Sequence, residues 1–258
     1  MALLMVAAVA AALQVSGVPL PLPRPAIPVV PQVAVETPHG PASDCDRRLA
    51  ELAVFTFKPN LQGPGQCGTE DLVSLTAVRL ANGNQVTVQP PAMLRCEMAE
   101  SFSAWVRDEA APKLASTGGG LATVQQDDAY ECRLRNRAAS GKVSEHAHGL
   151  AIDLHALVLA DKTVVAPTDV NQSKDLRAEL RESACRRFTT VLGPGEPAHD
   201  SHIHLDILQR RGGYRICSWD VREPNVAKAP TRNETTGAAV PLPTPRPPRS
   251  HRTTALVR

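Results

Sequence analysis

Aromatic residues are scarce in this 258-residue chain, which has only two Trp, two Tyr and four Phe. Nor does a stripe of Lys and Arg run through residues 43–225, so the chain lacks both the stacking surfaces and the basic track that nucleic-acid binding needs. No apolar run reaches the ~20 residues of a membrane-spanning helix. The segment ALLMVAAVAAAL at residues 2–13 stops at Gln14 and meets Pro19 soon after. No Lys or Arg precedes it, but Ser16 and Gly17 behind it supply the small residues of a cleavage zone. Residues 1–17 are therefore expected to form a signal peptide or an N-terminal anchor, which makes the protein secreted or periplasmic. Close cysteine pairs are missing too. Without a CxxC spacing there is no sign of a structural zinc site built from thiolates. No internal repeat is present.

What the chain does hold is six cysteines, Cys45, Cys67, Cys96, Cys132, Cys185 and Cys217, all between two biased ends. An even number behind a signal-like segment predicts three disulfides in an oxidising compartment, with about 15 pairings open. The ends are biased by proline and charge. Residues 18–41 carry eight prolines, so residues 18–42 are expected to be an extended polyproline linker. Residues 226–258 hold six basic groups, Lys228, Arg232, Arg246, Arg249, Arg252 and Arg258, against Glu234 alone. A disordered, basic, proline-rich tail is expected there, with weak contact to anionic envelope polymers or lipid headgroups as its one functional reading. One folded domain is left, over residues 43–225.

Inside it, Leu94, Met98, Phe102, Trp105 and Val106 recur at helical spacing between Pro90-Pro91 and Pro112, which predicts a core helix. A second helix is expected from Ser173 to Leu192, stopped by Gly193-Pro194. Strands are expected at residues 72–80, 85–88, 152–159 and 203–208. The mixture, without regular βαβ alternation, indicates an α+β fold.

Six of the eight histidines fall in two short windows, SEHAHGLAIDLHAL at residues 144–157 and HDSHIHLDI at residues 199–207. In the first, strand alternation puts Asp153 and His155 on one face and Ile152 and Leu154 on the other, and a turn at Gly149 brings His146 back toward Asp153. In the second, His202, His204 and Asp206 alternate with Ile203, Leu205 and Ile207. If the two strands are neighbours, nitrogen and oxygen ligands converge. Two imidazoles and one carboxylate suit zinc with a position left for water. Ser144 and Asp206 read as a turn-stabilising hydroxyl and a strand-end acid.

The pattern Ser144-x-His146-x-x-Gly149-x-Ala151-x-Asp153 resembles the signature of D-Ala-D-Ala carboxypeptidases and related peptidoglycan endopeptidases. His202-x-His204 is similar to the H-x-H element of lysostaphin-type enzymes, the penicillin-insensitive murein endopeptidase and the Hedgehog signalling domain. With Tyr130-Glu131-Cys132-Arg133 and the spread of cysteines, the chain over residues 43–220 most closely resembles the bacterial extensin-like C-terminal domain family. That resemblance implies a small, mostly antiparallel sheet with flanking helices, of the Hedgehog and DD-peptidase kind and stapled by disulfides. It implies His146, Asp153 and His204 as ligands of Zn2+, His202 as the group that moves a proton or stabilises the oxyanion, and Arg133 as the arginine aimed at the substrate carbonyl. His199 is implied as a second base or a partner of the ligands. Where the carboxypeptidases carry a Glu three residues before the last ligand, this chain has Ser201, and Glu196 lies nearby in a Gly-Glu-Pro turn. No Ser-Pro tract of a plant cell-wall extensin is present.

The function expected is that of a zinc metallopeptidase, a hydrolase cutting peptidoglycan stem peptides or cross-links, with the bond and the choice of carboxy- or endopeptidase action left open. The alternative is a metal-containing module that binds wall or protein without catalysis, as Ser201 suggests.

Overall fold

Helix α1, Asp44–Leu52, begins at a reciprocal cap: the Ser43 side chain accepts from Asp46 N at 3.1 Å, and the Asp46 carboxylate accepts from Ser43 N at 2.8 Å. Each bond answers a backbone donor that the first turn leaves open. In this computed structural model the described residues are 43–223 together with a two-residue strand, β1, Ala34–Val35. The expected leader at 1–17 and the basic tail at 226–258 lie outside them, as does the linker apart from β1. Among the described residues no helix is long and apolar enough to cross a membrane.

After α1 come β2 (Ala53–Phe57), β3 (Asn60–Gln62), β4 (Gly68–Thr69), β5 (Leu72–Arg79) and β6 (Gln85–Arg95). Strand β1 pairs with β3, and β3 with β4, in a small antiparallel sheet. The main sheet is completed by β7 (Leu121–Asp128), β8 (Ala151–Leu159), β9 (Val164–Val165), β10 (Thr190–Leu192), β11 (Ile203–Asp206) and β12 (Ile216–Ser218). Its order is β12-β10-β11-β8-β7-β6-β5-β2, with β9 against β8. Among the described residues only the pairs β6 with β7 and β10 with β12 are parallel. The fold is α+β, and its mostly antiparallel sheet runs to nine strands.

Two helices differ from the sequence expectation, for identifiable reasons. Pro90 and Pro91 lie inside β6, exposed, where the pairing with β5 shifts register between Leu75 and Ala77. A strand tolerates proline where no ladder N–H is required. The helix α2 therefore starts later, at Cys96, and runs to Trp105. It does not stop at Pro112 either. A π-helical stretch, Val106–Ala110, leads without a break into α3, Ala111–Leu114, and Pro112 follows this widened turn, where the i to i−4 ladder is already interrupted. The last helix, α4, Lys174–Arg187, is capped by Ser173 and ends before the expected Leu192. Thr190, Val191 and Leu192 pair with β11 instead, so Gly193-Pro194 terminates a strand.

Met98, Phe102, Trp105 and Val106 are buried, as their spacing predicts; Leu94 is buried too, but as part of β6 rather than of the helix. Burying a side chain such as Phe102 contributes about 1.5–3 kcal/mol. Trp105 donates its Nε1 hydrogen to the Ser183 hydroxyl of α4 at 3.0 Å and meets Phe188 edge-on at 6.0 Å. The core continues through Leu75, Val88, Ile152, Leu154, Ile203 and Leu205 of the sheet.

All six cysteines are paired: Cys45 with Cys96, Cys67 with Cys132, and Cys185 with Cys217. The first joins α1 to α2. The second joins the β3–β4 turn to the stretch after β7, and the third joins α4 to β12.

Candidate metal centre

The two histidine windows meet because β8 and β11 are antiparallel neighbours. Their register puts His204 opposite Asp153 and Leu205 opposite Ile152. Ile152, Leu154, Ile203 and Leu205 fill the core, so by alternation Asp153 and His204 share the other face. On the far side of β8, Asp128 of β7 is opposite Asp153. Asp128, Asp153 and His204 thus form a row across three strands.

His146 arrives from a separate element, the 3₁₀ turn Glu145–His148. Gly149 ends that turn at φ +66°, and a Cβ there would sit 2.8 Å from the backbone nitrogen of Arg95. The same Arg95 N–H donates to the Gly149 carbonyl at 2.8 Å. A left-handed residue without a side chain is therefore what returns the chain from His146 to β8.

Nitrogens of both imidazoles are committed on their outer sides. Nδ1 of His146 donates to the Ala129 carbonyl at 2.6 Å, and Nε2 of His204 donates to Oδ2 of Asp206 at 3.2 Å. Since both oxygens accept, the opposite nitrogens of the neutral rings are bare. Nε2 of His146 and Nδ1 of His204 lie 3.1 Å apart, and each faces Oδ1 of Asp153, at 3.2 and 3.0 Å. Three lone-pair atoms on buried groups converge with no donor among them, which is repulsive unless a cation joins them. In a tetrahedral zinc site with bonds of about 2.0–2.1 Å, neighbouring donor atoms are about 3.3 Å apart. The donor set and its spacing fit that ion.

In the metal-free state a proton meets the same demand. Burial by itself lowers the His204 pKa, but hydrogen bonds and charge from Asp153 and Asp206 outweigh it and push the pKa up to about 9. Burial likewise opposes ionisation of Asp153, yet hydrogen bonds from His146 and His204 hold its carboxyl far below the usual carboxylate range. Asp206 is depressed too, against its burial, chiefly by the hydrogen bond and charge of His204.

The remaining expected residues surround this cluster in a cleft of roughly 380 Å³. His202 is partly exposed, with Nε2 3.5 Å from Oδ2 of Asp153, outside the three-donor cluster. His199 donates Nδ1–H to the Pro197 carbonyl at 2.7 Å, and its ring lies against those of His202 and His204. Its pKa is lowered, first by burial and then by its imidazole neighbours. Arg133 reaches Asp153 at 3.7 Å while donating to Glu131 at 2.7 Å and Asp128 at 3.1 Å. Glu196 lines the cleft and accepts from Ser218, whereas Ser201 is exposed. His155 points elsewhere, to an exposed pair with Asp127.

Three acids were missed by sequence reasoning. Asp206, read as a strand-end acid, orients His204; the signal was its i+2 spacing, which puts it on the face of His204. Asp128 and Glu131 anchor Arg133; the signal there was two adjacent acids, Asp127 and Asp128, just before Tyr130-Glu131-Cys132-Arg133. Ser144 bonds through its backbone, N–H to the Arg133 carbonyl and its own carbonyl to Ala147 N–H.

The family model of the Extensin-like protein C-terminus matches residues 43–218, well over half of the chain. The chain belongs to the extensin-like C-terminus family. No curated protein matches it. In this extensin-like domain the matched stretch opens at Ser43, the cap of α1, and closes at Ser218, the end of β12. It encloses all six cysteines, the three-donor cluster and the residues that orient it.

Proposed function

We propose that this extensin-like domain is a zinc-dependent peptidase of the cell envelope, acting on peptidoglycan stem peptides or their cross-links. One observation carries the reading: the bare nitrogens of His146 and His204 and an oxygen of Asp153 converge without a donor, each imidazole fixed from behind by a protein acceptor. Ligating histidines are held in this way at zinc sites. Three protein ligands rather than four leave room for chemistry.

Zinc held by His146, Asp153 and His204 supplies Lewis acidity toward water and the scissile carbonyl. The chain's own groups do the rest. His202, at the rim beside Oδ2 of Asp153, takes the proton of the attacking water and passes it to the leaving amine. His199 stays neutral because burial depresses its pKa, and its Nε2 is bare because Nδ1–H is bound to Pro197, so its ring stands beside His202 as a neutral hydrogen-bond acceptor. Arg133 places positive charge beside the site and stabilises the developing oxyanion. An imidazole thereby serves where Ser201 replaces the usual Glu. Three disulfides suit the oxidising envelope outside the cytoplasm.

Incubation of the zinc-loaded protein with purified cross-linked muropeptides, followed by mass analysis, tests the reading. Loss of a terminal residue indicates carboxypeptidase action, and conversion of dimers to monomers indicates endopeptidase action. Muropeptides recovered uncut would refute it. The second reading, a binding module without catalysis, is favoured by Ser201, and retention of uncut muropeptides on the immobilised protein would establish it.

A further inference from the structure

Four arginines line the cleft: Arg133, Arg135, Arg137 and Arg210. Three are answered by carboxylates, Arg133 and Arg137 by Asp128 and Glu131, and Arg135 by Glu145. Arg210 differs. Its Nη1 donates to the Thr189 carbonyl at 3.1 Å and its Nη2 to the Thr190 hydroxyl, and among the described residues it has no carboxylate partner. The nearest acid along this path is Asp206, which is hydrogen-bonded to Thr190. Asp206 is already engaged by His204, by the Thr189 hydroxyl and by the Leu208 N–H. A guanidinium offers five N–H donors in a rigid fork, and two of the three nitrogens are used to hold this one in place.

The anchor is also near the centre. Thr190 is opposite Asp206, and Leu192 opposite His204, on adjacent strands. A half-buried cation of fixed position and unspent charge, one strand from the metal ligands, is pre-organised for an anion. We infer that Arg210 binds a carboxylate of the substrate, so that the cleft takes peptides bearing a free carboxylate close to the scissile bond. The substrate class rests on the peptidase reading, but the binding of the carboxylate does not need turnover. Stem peptides carry carboxylates at the chain terminus and on side chains, and both offer the same chemistry to the guanidinium.

The test is a binding titration of the zinc-loaded full chain, followed by NMR. The probes are a synthetic stem peptide with every carboxylate free, the same peptide amidated at its C-terminus, and the same peptide amidated on its side chains. A charge-assisted bidentate contact predicts that one of the amides binds about ten-fold more weakly than the free peptide, and which one identifies the carboxylate. Arg210→Gln should remove that gap while leaving zinc content and melting temperature unchanged. If Arg210→Gln loses zinc or fold, Arg210→Lys is read instead, and a gap that shrinks without vanishing supports the inference. Equal binding of all three peptides, no binding of the free peptide, or an undiminished gap in the readable variant would overturn it. Cleavage without carboxylate preference leaves the peptidase reading standing and removes this one, and preference without cleavage does the reverse.

Discussion

Nε2 of His204 donates to Oδ2 of Asp206, two residues along the same strand, at 3.2 Å. The bond fixes which nitrogen of His204 is bare and aims it at Asp153. Asp206→Ala should therefore lower zinc affinity by about 10–100-fold without unfolding the domain. Competition against a chromophoric chelator measures this, and wild-type affinity would show that His204 is oriented by other means.

His202 and His204 share a strand face but should separate on mutation. The wild-type protein should hold about one zinc per chain, and Ala at His146, Asp153 or His204 should abolish it. His202→Ala should keep its zinc and lose turnover by about 10²–10⁴-fold. Metal content by elemental analysis and cleavage rates are measured side by side. A full-rate His202→Ala enzyme would pass the proton-transfer role to His199 or Glu196.

Metal uptake should release protons. His204 in the metal-free fold has its pKa raised to about 9, above the ~6.5 of an unfolded histidine. The stabilisation it contributes is fully present below pH ~6.5 and is lost as pH rises through about 9. At pH 7.5 zinc must displace that proton, so calorimetry in buffers of different ionisation enthalpy should find about one proton released per ion. The metal-free protein should also lose stability toward pH 9 while the loaded protein does not. Absence of proton release would mean that His204 is neutral before zinc arrives.

Gly149→Ala tests the turn that delivers His146. A left-handed φ costs an L-residue roughly 1–2 kcal/mol, and the new Cβ would press on the Arg95 backbone, which cannot swing away as a side chain can. Both a lower melting temperature and weaker zinc binding are expected. A variant that melts and binds as wild type does would show that the turn adapts.

The disulfides should be visible chemically. Intact mass should fall six hydrogens below that of the fully reduced chain, and non-reducing peptide maps should return the pairs Cys45–Cys96, Cys67–Cys132 and Cys185–Cys217. Loss of one such bond typically costs about 2–5 kcal/mol. Free-thiol signal from the unfolded, unreduced protein would contradict the pairing.

Residue spacing exposed the core helix and the polar face of each strand, one with Asp153 and the other with His204, because period 2 and period 3.6 are local properties. Phe102 and Trp105 were legible in this way, and so was the alternation around His204. The helix limits were not. Pro90 and Pro112 look like breakers locally, and only the bulge against β5 and the π turn make them tolerable. The adjacency of β8 and β11, on which the three-donor cluster depends, is a long-range pairing that spacing cannot fix. The disulfide partners depend on the same kind of information. Asp206 was passed over because an acid at a strand end has many uses, and only the 3.2 Å contact with His204 selects one.

Cys132 sits between Glu131 and Arg133, on the stretch that also supplies the Ala129 carbonyl to His146. That stretch has little regular structure: an isolated bridge between Leu134 and Val143, a few backbone bonds, and arginine–carboxylate pairs in which Arg135 and Arg137 are exposed. Segments so sparsely held open locally well before the whole domain unfolds. Its bond to Cys67 therefore acts as a latch on one wall of the cleft. Through it the backing of His146 and the setting of Arg133 are tied to the turn between β3 and β4. The carbonyl that fixes one imidazole of the three-donor cluster is thus held in place by a bond to a residue some 65 positions back along the chain.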